Sequence, residues 1–326
     1  MAQLLSLLNS AIAFGTVIML GSLGETLIEK SGNLNLGIPG IMYLGGIGGM
    51  IAAFFYECVG GGKSPIVGLI LSFLCSMAFA AAGGLIYAFL TITLRANQNV
   101  TGLTLTIFGG GVANFFGASL NTLAGGVGQI STPITSSAYI AYTPLGFKGV
   151  LGKLIFGHGF MVYLAIVIAI LMSYFLNKTR TGLNLRAVGE NPGTADAAGI
   201  NVTKYKYIGI ICGSAIAGLG GLFYTMDYIK GTWANDAVIE GLGWLAVALV
   251  IFGTWKPLNS IWGAYLFGFV YWAYLYIPGL NRSSIELFKM LPYVITLIVL
   301  IAVSLRKRRE NQPPASLGLS YFREER

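Results

Sequence analysis

The chain of 326 residues is 55% hydrophobic and only 10% charged, whereas soluble globular domains carry roughly 25% charged residues. This composition excludes a soluble enzyme, a disordered chain and a secreted disulfide scaffold. The formal net charge of +8 is better explained by membrane orientation than by a nucleic-acid partner, because Lys and Arg concentrate in the cytoplasmic loops of membrane proteins.

Nine apolar runs predict nine transmembrane helices, since about 20 residues of helix cross the hydrocarbon core. The third run has 29 residues, which predicts a tilted helix or one that extends past the bilayer. The seventh has 14, which predicts a broken or partly re-entrant helix. The runs are Leu4–Leu23, Leu36–Phe55, Ile66–Leu94, Val100–Ser119, Gly159–Leu176, Tyr205–Thr225, Leu242–Trp255, Ser260–Ile277 and Leu287–Ser304. We therefore predict an all-α polytopic membrane protein of about nine transmembrane helices.

The distribution of cations predicts the orientation of these helices. With a cytoplasmic C-terminus, 14 of the 20 Lys and Arg residues lie inside and six lie outside. The positive-inside rule favours this arrangement, and an odd number of spans then places the N-terminus outside. We predict a transmembrane domain over 1–305, with an external loop at 120–158 and a cytoplasmic segment at 177–204. Residues 306–326 are predicted to form a basic, solvated cytoplasmic tail without a core.

The ionisable residues form no catalytic or metal-binding pattern. His158 is the only histidine, and the three cysteines have no metal-ligand spacing, so a zinc site has too few ligands. Acids in mid-membrane, which mark many ion-driven transporters, are not evident either. Glu25 and Glu240 come nearest, and both lie at the ends of predicted spans. We predict no catalytic residue, no metal and no cofactor held by this chain itself.

Small residues recur at every fourth position in two of the predicted helices. This spacing lets two helix backbones approach closely, which is how helices associate in lipid without a hydrophobic driving force. We therefore predict close helix packing along both stripes. The positions are Gly109, Ala113 and Gly117 in one helix, and Gly209, Gly213, Ala217 and Gly221 in the other.

The segment 177–204 predicts a short helix at the cytoplasmic surface. Asn191 is a favoured helix cap, Pro192 suits the first helical position, and Gly199 suits the end of a helix. A helix of two turns is marginal on its own, so it needs a surface to dock on. We interpret it as a knob that sits in a groove of a cytoplasmic partner.

Three stretches of this sequence together resemble a known family. Residues 182–207, GLNLRAVGENPGTADAAGINVTKYKY, resemble the coupling segment of ABC importer permeases of the branched-chain amino acid and simple-sugar group. Residues 23–46, LGETLIEKSGNLNLGIPGIMYLGG, and 97–111, NQNVTGLTLTIFGGG, resemble two further parts of the same permeases. The resemblance runs from Leu20 to Lys256 in the same order. It is greatest to the nucleoside branch, which works with binding lipoproteins of the basic-membrane-protein type.

The resemblance implies a permease subunit in the bacterial plasma membrane, which is a transport subunit and not an enzyme. It implies three partners: a second permease in a heterodimer, a cytoplasmic ABC ATPase that binds ATP and Mg, and an extracytoplasmic substrate-binding lipoprotein. The coupling to the ATPase is then carried by Arg186, Gly189, Glu190, Asn191, Pro192, Ala195, Asp196 and Gly199.

The solute pathway is predicted from neutral polar and aromatic residues in or near the spans. Amides and hydroxyls suit a polar uncharged solute, and aromatic rings can stack on a base or a sugar. Thr101, Thr104 and Phe108 share one face by helical spacing. Trp255, near the end of a span, is assigned instead to the interfacial aromatic belt. The pathway candidates are Asn35, Asn99, Thr101, Thr104, Phe108, Asn114 and Trp244.

These features predict an importer permease that moves nucleosides by alternating access. A permease for a simple sugar or riboflavin is an alternative within the same class. A self-contained secondary transporter or channel is an alternative of another class, and it would move solute without any partner.

Overall fold

A computed structural model describes residues 2–125, 130–141, 152, 154, 156–233, 237–277, 279, 281–306 and 311–322. These residues form twelve α-helices and no β-strand, which confirms the predicted all-α class. Parts of the predicted external loop (126–129, 142–151, 153 and 155) and of the predicted tail (307–310 and 323–326) lie outside the described residues. The helices are α1 Ala2–Lys30, α2 Ile38–Phe54, α3 Pro65–Ala88, α4 Gln98–Leu123, α5 Pro133–Ile140, α6 Phe160–Lys178, α7 Arg180–Glu190, α8 Pro192–Ala197, α9 Val202–Phe223, α10 Val238–Phe252, α11 Pro257–Trp272 and α12 Arg282–Arg306.

Each of the nine predicted spans coincides with one of the longer helices. Three of these helices continue into a π-helical turn, which extends α2 to Val59, α3 to Thr93 and α9 to Tyr228. Seven of the described helices are long and apolar enough to cross a membrane. The other two, α10 with 15 residues and α11 with 16, are shorter. The count of nine membrane-spanning helices and the predicted orientation therefore stay predictions.

The ends of the helices define two opposite faces of the bundle. On one, which we call the α5 face, the Glu57 carboxylate accepts hydrogen bonds from the first amides of α5, and Gly231 after α9 pairs with Thr132. The other, which we call the α8 face, carries the end of α1 together with α7, α8 and residues 311–322. There Gly189 lies directly against Lys30.

The centre of the bundle consists of α1, α2 and α9. About four-fifths of the most apolar part of α2 and of α9 is buried, against about one-tenth for α12. The outer helices α3, α4, α6 and α12 instead expose large apolar side chains, such as Ile66, Ile107, Leu171 and Leu297. An apolar outer surface around a buried centre is the pattern expected of a helix bundle that is surrounded by lipid.

The predicted stripes of small residues lie where helix backbones meet. A Cβ atom on Gly213 of α9 would lie 2.6 Å from the Gly24 carbonyl oxygen of α1, and one on Gly209 would lie 2.8 Å from Ser31. On α4, a Cβ atom on Gly109 would collide with the backbone of Gly40 in α2. The prediction of close helix packing along both stripes is confirmed.

Replacing Gly109 by alanine tests this packing, with Gly111 as the control. Both positions lie on α4, and alanine raises helix propensity equally at each, but a Cβ atom on Gly111 meets no atom of the described residues within 4 Å. Gly109→Ala should force α2 and α4 apart and cost about 1–3 kcal/mol, as overpacked cores do. Gly111→Ala should be neutral or stabilising. Thermal unfolding of the full chain in detergent measures both, and equal midpoints for the two variants would contradict the assignment.

Candidate functional site

Helix α7 is fastened to the helices on either side of it. Its cap is Thr179, whose hydroxyl accepts a hydrogen bond from the Gly182 amide at 3.1 Å. The Arg186 guanidinium donates to the Asn177 side-chain oxygen at 3.0 Å. The Asn184 amide donates to the Tyr205 hydroxyl at 2.9 Å. These contacts fix α7 between the end of α6 and the start of α9.

Helix α8 has the ends that its sequence predicts. The Asn191 side-chain oxygen accepts a hydrogen bond from the Thr194 amide at 3.0 Å, and Pro192 is the first helical residue. Gly199 follows the helix with a φ of +81°, in the left-handed region that glycine adopts most easily. The cap, the proline start and the glycine end are therefore confirmed. The helix has only six residues, so its stability depends on what it packs against.

A small hydrophobic cluster holds α8 in place. Val188 of α7, Ala195 of α8 and Val202 of α9 are buried against one another, and Tyr321 from the end of the chain packs on them. This cluster is separate from the main core, which the long helices form. It anchors the buried side of α8 and leaves the other side open.

The open side of α8 forms a shallow groove with α7. A cavity of about 290 Å³ lies between the two helices and is lined by Glu190, Asn191 and Thr194, among others. Of the predicted coupling residues, Glu190 and Asn191 are exposed at this groove, whereas Gly189 and Ala195 are buried against this chain. Another molecule at this groove can therefore reach fewer of the predicted coupling residues than the sequence prediction contains.

Residues 311–322 lie against α7 and α8, which differs from the predicted solvated tail. The Ser316 amide and hydroxyl both donate to the Gly189 carbonyl oxygen, at 3.1 and 2.6 Å. The Tyr321 hydroxyl donates to the Asp196 carboxylate at 2.9 Å. Pro314 and Ser316 are buried. The segment, which we call the tail strap, therefore covers one side of the α7–α8 pair.

The tail strap also contacts the loops at the starts of other helices. The Lys256 ammonium donates to the Asn311 side-chain oxygen at 2.7 Å. Gln98, at the start of α4, donates to the Leu319 carbonyl oxygen at 3.4 Å and accepts from the Leu34 amide at 2.7 Å. The tail strap thus joins α7 and α8 to the α1–α2 loop, to α4 and to the start of α11.

Two carboxylates lie buried near the same face, and no pattern in the sequence marks the second one. Glu25 and Glu29 are one turn apart on α1, and each is at most 4% exposed. The Trp255 indole N–H donates to the Glu29 carboxylate. Trp255 is itself buried, so its assignment to the interfacial aromatic belt is wrong. Its bond to Glu29 ties the end of α1 to the turn between α10 and α11.

The predicted pathway residues do not come together at one place. Asn35 is fully buried at the α8 face, where its side-chain oxygen accepts from the Gly37 amide at 2.9 Å. Asn99 is exposed in the first turn of α4, and Trp244 is partly buried on α10. Beyond this first turn, the exposed face of α4 carries three members of the set: Thr104, Phe108 and Asn114.

Thr101 lies on the same helical face as Thr104 and Phe108, as the spacing predicts, but unlike them it is not exposed. Its side chain is buried, and its hydroxyl donates to the Asn97 carbonyl oxygen at 2.8 Å. The reason is local: the first turn of α4 packs on the α1–α2 loop, where a Cβ atom on the neighbouring Gly102 would lie 2.7 Å from the Leu36 amide nitrogen.

This bundle, with its apolar outer helices and its supported short helix, is an integral multi-pass membrane protein. Residues 7–300 match the family described as branched-chain amino acid transport system / permease component. The chain belongs to this family of transport permeases, which confirms the group that the three stretches of sequence resemble. No solved structure matches the chain.

Among the relatives that cover most of the chain, three are named as ABC transporter permeases. It is 32% identical to the nucleoside ABC transporter permease protein NupC of Lactococcus lactis, over 89% of each chain. It is 32% identical to the guanosine ABC transporter permease protein NupQ of Bacillus subtilis, over 99% of each. It is 36% identical to a putative glucose ABC transporter permease protein, TsgC13, of Haloferax volcanii, over 80% of this chain and 74% of the relative.

Trp255→Phe should destabilise the protein, because it leaves the Glu29 carboxylate buried without its donor. Such a loss costs about 1–3 kcal/mol. Trp262→Phe is the matched control, since Trp262 lies on α11 and is 78% exposed. Thermal unfolding of both variants in detergent measures the difference. A midpoint for Trp255→Phe at or above that of Trp262→Phe would show that the indole does not support Glu29.

Ending the chain after Glu310 should loosen α8, because it removes the Tyr321 side chain and the bonds to Gly189. We expect backbone amide exchange in residues 192–199 to accelerate at least tenfold. Exchange in α5, at the opposite face, should be unchanged and serves as the internal control. Unaltered exchange in α8 would show that the tail strap does not support it.

Proposed function

We propose that this chain is the permease subunit of an ATP-driven importer that moves nucleosides across the bacterial plasma membrane by alternating access. In this proposal nine helices span the membrane, the N-terminus is outside and the α8 face is cytoplasmic. The observation that carries the proposal is α8 itself: a short, exposed helix with its own hydrophobic support, on a chain of a permease family. A helix held in this way can receive a force from outside and pass it into the bundle.

The proposed partner at the α8 face is a cytoplasmic ABC ATPase, which binds the ATP and Mg. Glu190 and Asn191 border the groove that the partner contacts. The remaining coupling residues shape or anchor the helix pair: Arg186, Gly189, Pro192, Ala195, Asp196 and Gly199. An ATPase that holds α8 differently in its ATP-bound and ATP-free states shifts the population between outward-open and inward-open permease.

The proposed second permease packs beside α4 in a heterodimer. The exposed face of α4 carries Thr104, Phe108 and Asn114, and a Cβ atom on Gly111 between them would have no neighbour within 4 Å in the part of the chain that the structure describes. Hydroxyl, amide and aromatic groups on a face otherwise surrounded by apolar helices suit a polar pathway that two subunits enclose. Of the other candidates, Asn35 and Thr101 are buried against this chain, Trp244 lies on α10, and Asn99 lies in the first turn of α4. We do not include these four in the proposed pathway.

The proposed solute class is inferred from the solutes for which the relatives are named. Two relatives named for nucleosides or guanosine match 89% and 99% of this chain, and the one named for glucose matches 80%. A simple sugar is therefore the second candidate. In either case an extracytoplasmic binding lipoprotein delivers the solute to the α5 face.

Gly193→Trp tests the coupling role of α8. A Cβ atom at Gly193 meets only the Asn191 side-chain oxygen, at 3.5 Å, so the larger side chain extends from the helix without disturbing this chain. We expect solute-stimulated ATP hydrolysis by the whole transporter to fall at least tenfold. Gly193→Ala is the control and should retain most of the activity. Full stimulation in the Trp variant would refute a docked α8.

Uptake of labelled guanosine by cells that express the complete transporter tests the solute. We expect unlabelled nucleosides to compete and glucose not to compete. Competition by glucose alone would favour the sugar permease. The purified chain alone in liposomes should give no flux, and guanosine flux there would identify a self-contained transporter instead.

A further inference from the structure

A cavity of about 710 Å³ opens on the α8 face, apart from the groove between α7 and α8. It lies between the end of α3, the connection from α8 to α9, and the tail strap. Arg95 lines it from the α3 side, Tyr321 from the tail strap, and Lys204 and Lys206 from the first turns of α9. Its volume is within the range of about 300–1,000 Å³ that is usual for ligand sites.

The cavity carries an excess of positive charge. Its lining has three cations, Arg95, Lys204 and Lys206, and one acid, Asp196. That acid already accepts a hydrogen bond from the Tyr321 hydroxyl at 2.9 Å. The start of α9 contributes the positive end of a helix dipole as well. The lining therefore favours an anion.

Lys206 is the residue that most needs such an anion. It is only 3% exposed, yet in the described part of the chain it has no hydrogen bond and no ion pair. Lysine is rarely buried unless it is paired, because an ammonium removed from water loses its hydration without compensation. The cavity provides the space for a counter-ion to Lys206.

Arg95 is held at the cavity by an unusual backbone conformation. Its φ is +57°, a left-handed value that residues other than glycine adopt at some cost. Its guanidinium lies over the Phe322 ring, 4.6 Å from the ring centre, in a cation–π contact. The tail strap therefore helps to keep this second cation at the rim of the cavity.

We propose that this cavity binds a phosphate group carried by an anionic molecule, with Lys206 as its buried counter-charge and Lys204 and Arg95 at the rim. One source is an anionic phospholipid of the adjacent leaflet. Leu94 precedes Arg95, and Ile208 lies one helical turn after Lys204 on α9; they are 58% and 41% exposed and offer an apolar surface to acyl chains. The other source is a soluble phosphate compound. Three cations suit a phosphate, which has several acceptor oxygens.

Two binding measurements on the full-length chain in detergent separate these sources. Native mass spectrometry counts the molecules of phosphatidylglycerol or phosphatidylcholine that the chain retains. A thermal-shift titration with inorganic pyrophosphate measures stabilisation by a soluble phosphate, because a ligand that binds the folded state raises its melting temperature. Retention of phosphatidylglycerol over phosphatidylcholine identifies a lipid site, and stabilisation by pyrophosphate identifies a soluble ligand.

Three variants locate the binding. Lys206→Met and Lys204→Gln should each weaken it at least tenfold in whichever measurement is positive. Lys204 is exposed, so its variant tests the site even if Lys206→Met does not fold. Lys178→Met, an exposed cation on the α8 face that does not line the cavity, should bind as the wild type does.

The proposal is overturned if the wild type neither retains phosphatidylglycerol over phosphatidylcholine nor is stabilised by pyrophosphate. It is also overturned if the two cavity variants bind as the wild type does. None of these measurements contains an ATPase, a second permease or a transported solute. Their failure would therefore leave the proposed transport function untouched, and failure of the transport assays would leave the phosphate site untouched.

Discussion

Direct contact between helix backbones is the constraint on which this structure depends. Lipid tails are as apolar as leucine, so burial of side chains does not drive helices together inside a membrane, and they must gain stability from close packing. In this chain α9 meets α1 at Gly213 and Gly24, and α4 meets α2 at Gly109 and Gly40. Because a methyl group at such a contact would force the helices apart, these contacts require glycine and hold the central helices in close packing. The α8 face is therefore attached to a closely packed centre.

The α8 face is built to resist deformation in a different way. There the contacts are polar and join distant parts of the chain: Trp255 bonds to Glu29, and Ser316 and Tyr321 bond to Gly189 and Asp196. Gly189 of α7 also lies directly against Lys30, so α7 connects α8 to the end of α1. A displacement of α8 is thus transmitted through few and short steps to α1 and α9. This arrangement is what the proposed coupling by an ATPase requires.

The long helices were predictable, because each consists of an apolar run whose composition alone separates it from its loops. The cap, start and end of α8 were predictable for a related reason, since Asn191, Pro192 and Gly199 act on their own local backbone. The tail strap was not, because residues 311–322 have neither an apolar run nor a period. Their docking depends on backbone acceptors such as the Gly189 carbonyl oxygen, which exist only once α7 has folded. Glu29 was missed because its partner Trp255 is 226 residues away.

The position of the tail strap after α12 has a consequence for biosynthesis. Residues 311–322 leave the ribosome later than the twelve described helices, so α8 lacks this support while those helices are made. A message truncated just after α12 would still yield these helices for insertion, but with an incompletely supported α8. Synthesis of the tail strap would thus complete the support of α8 only after the described helices exist.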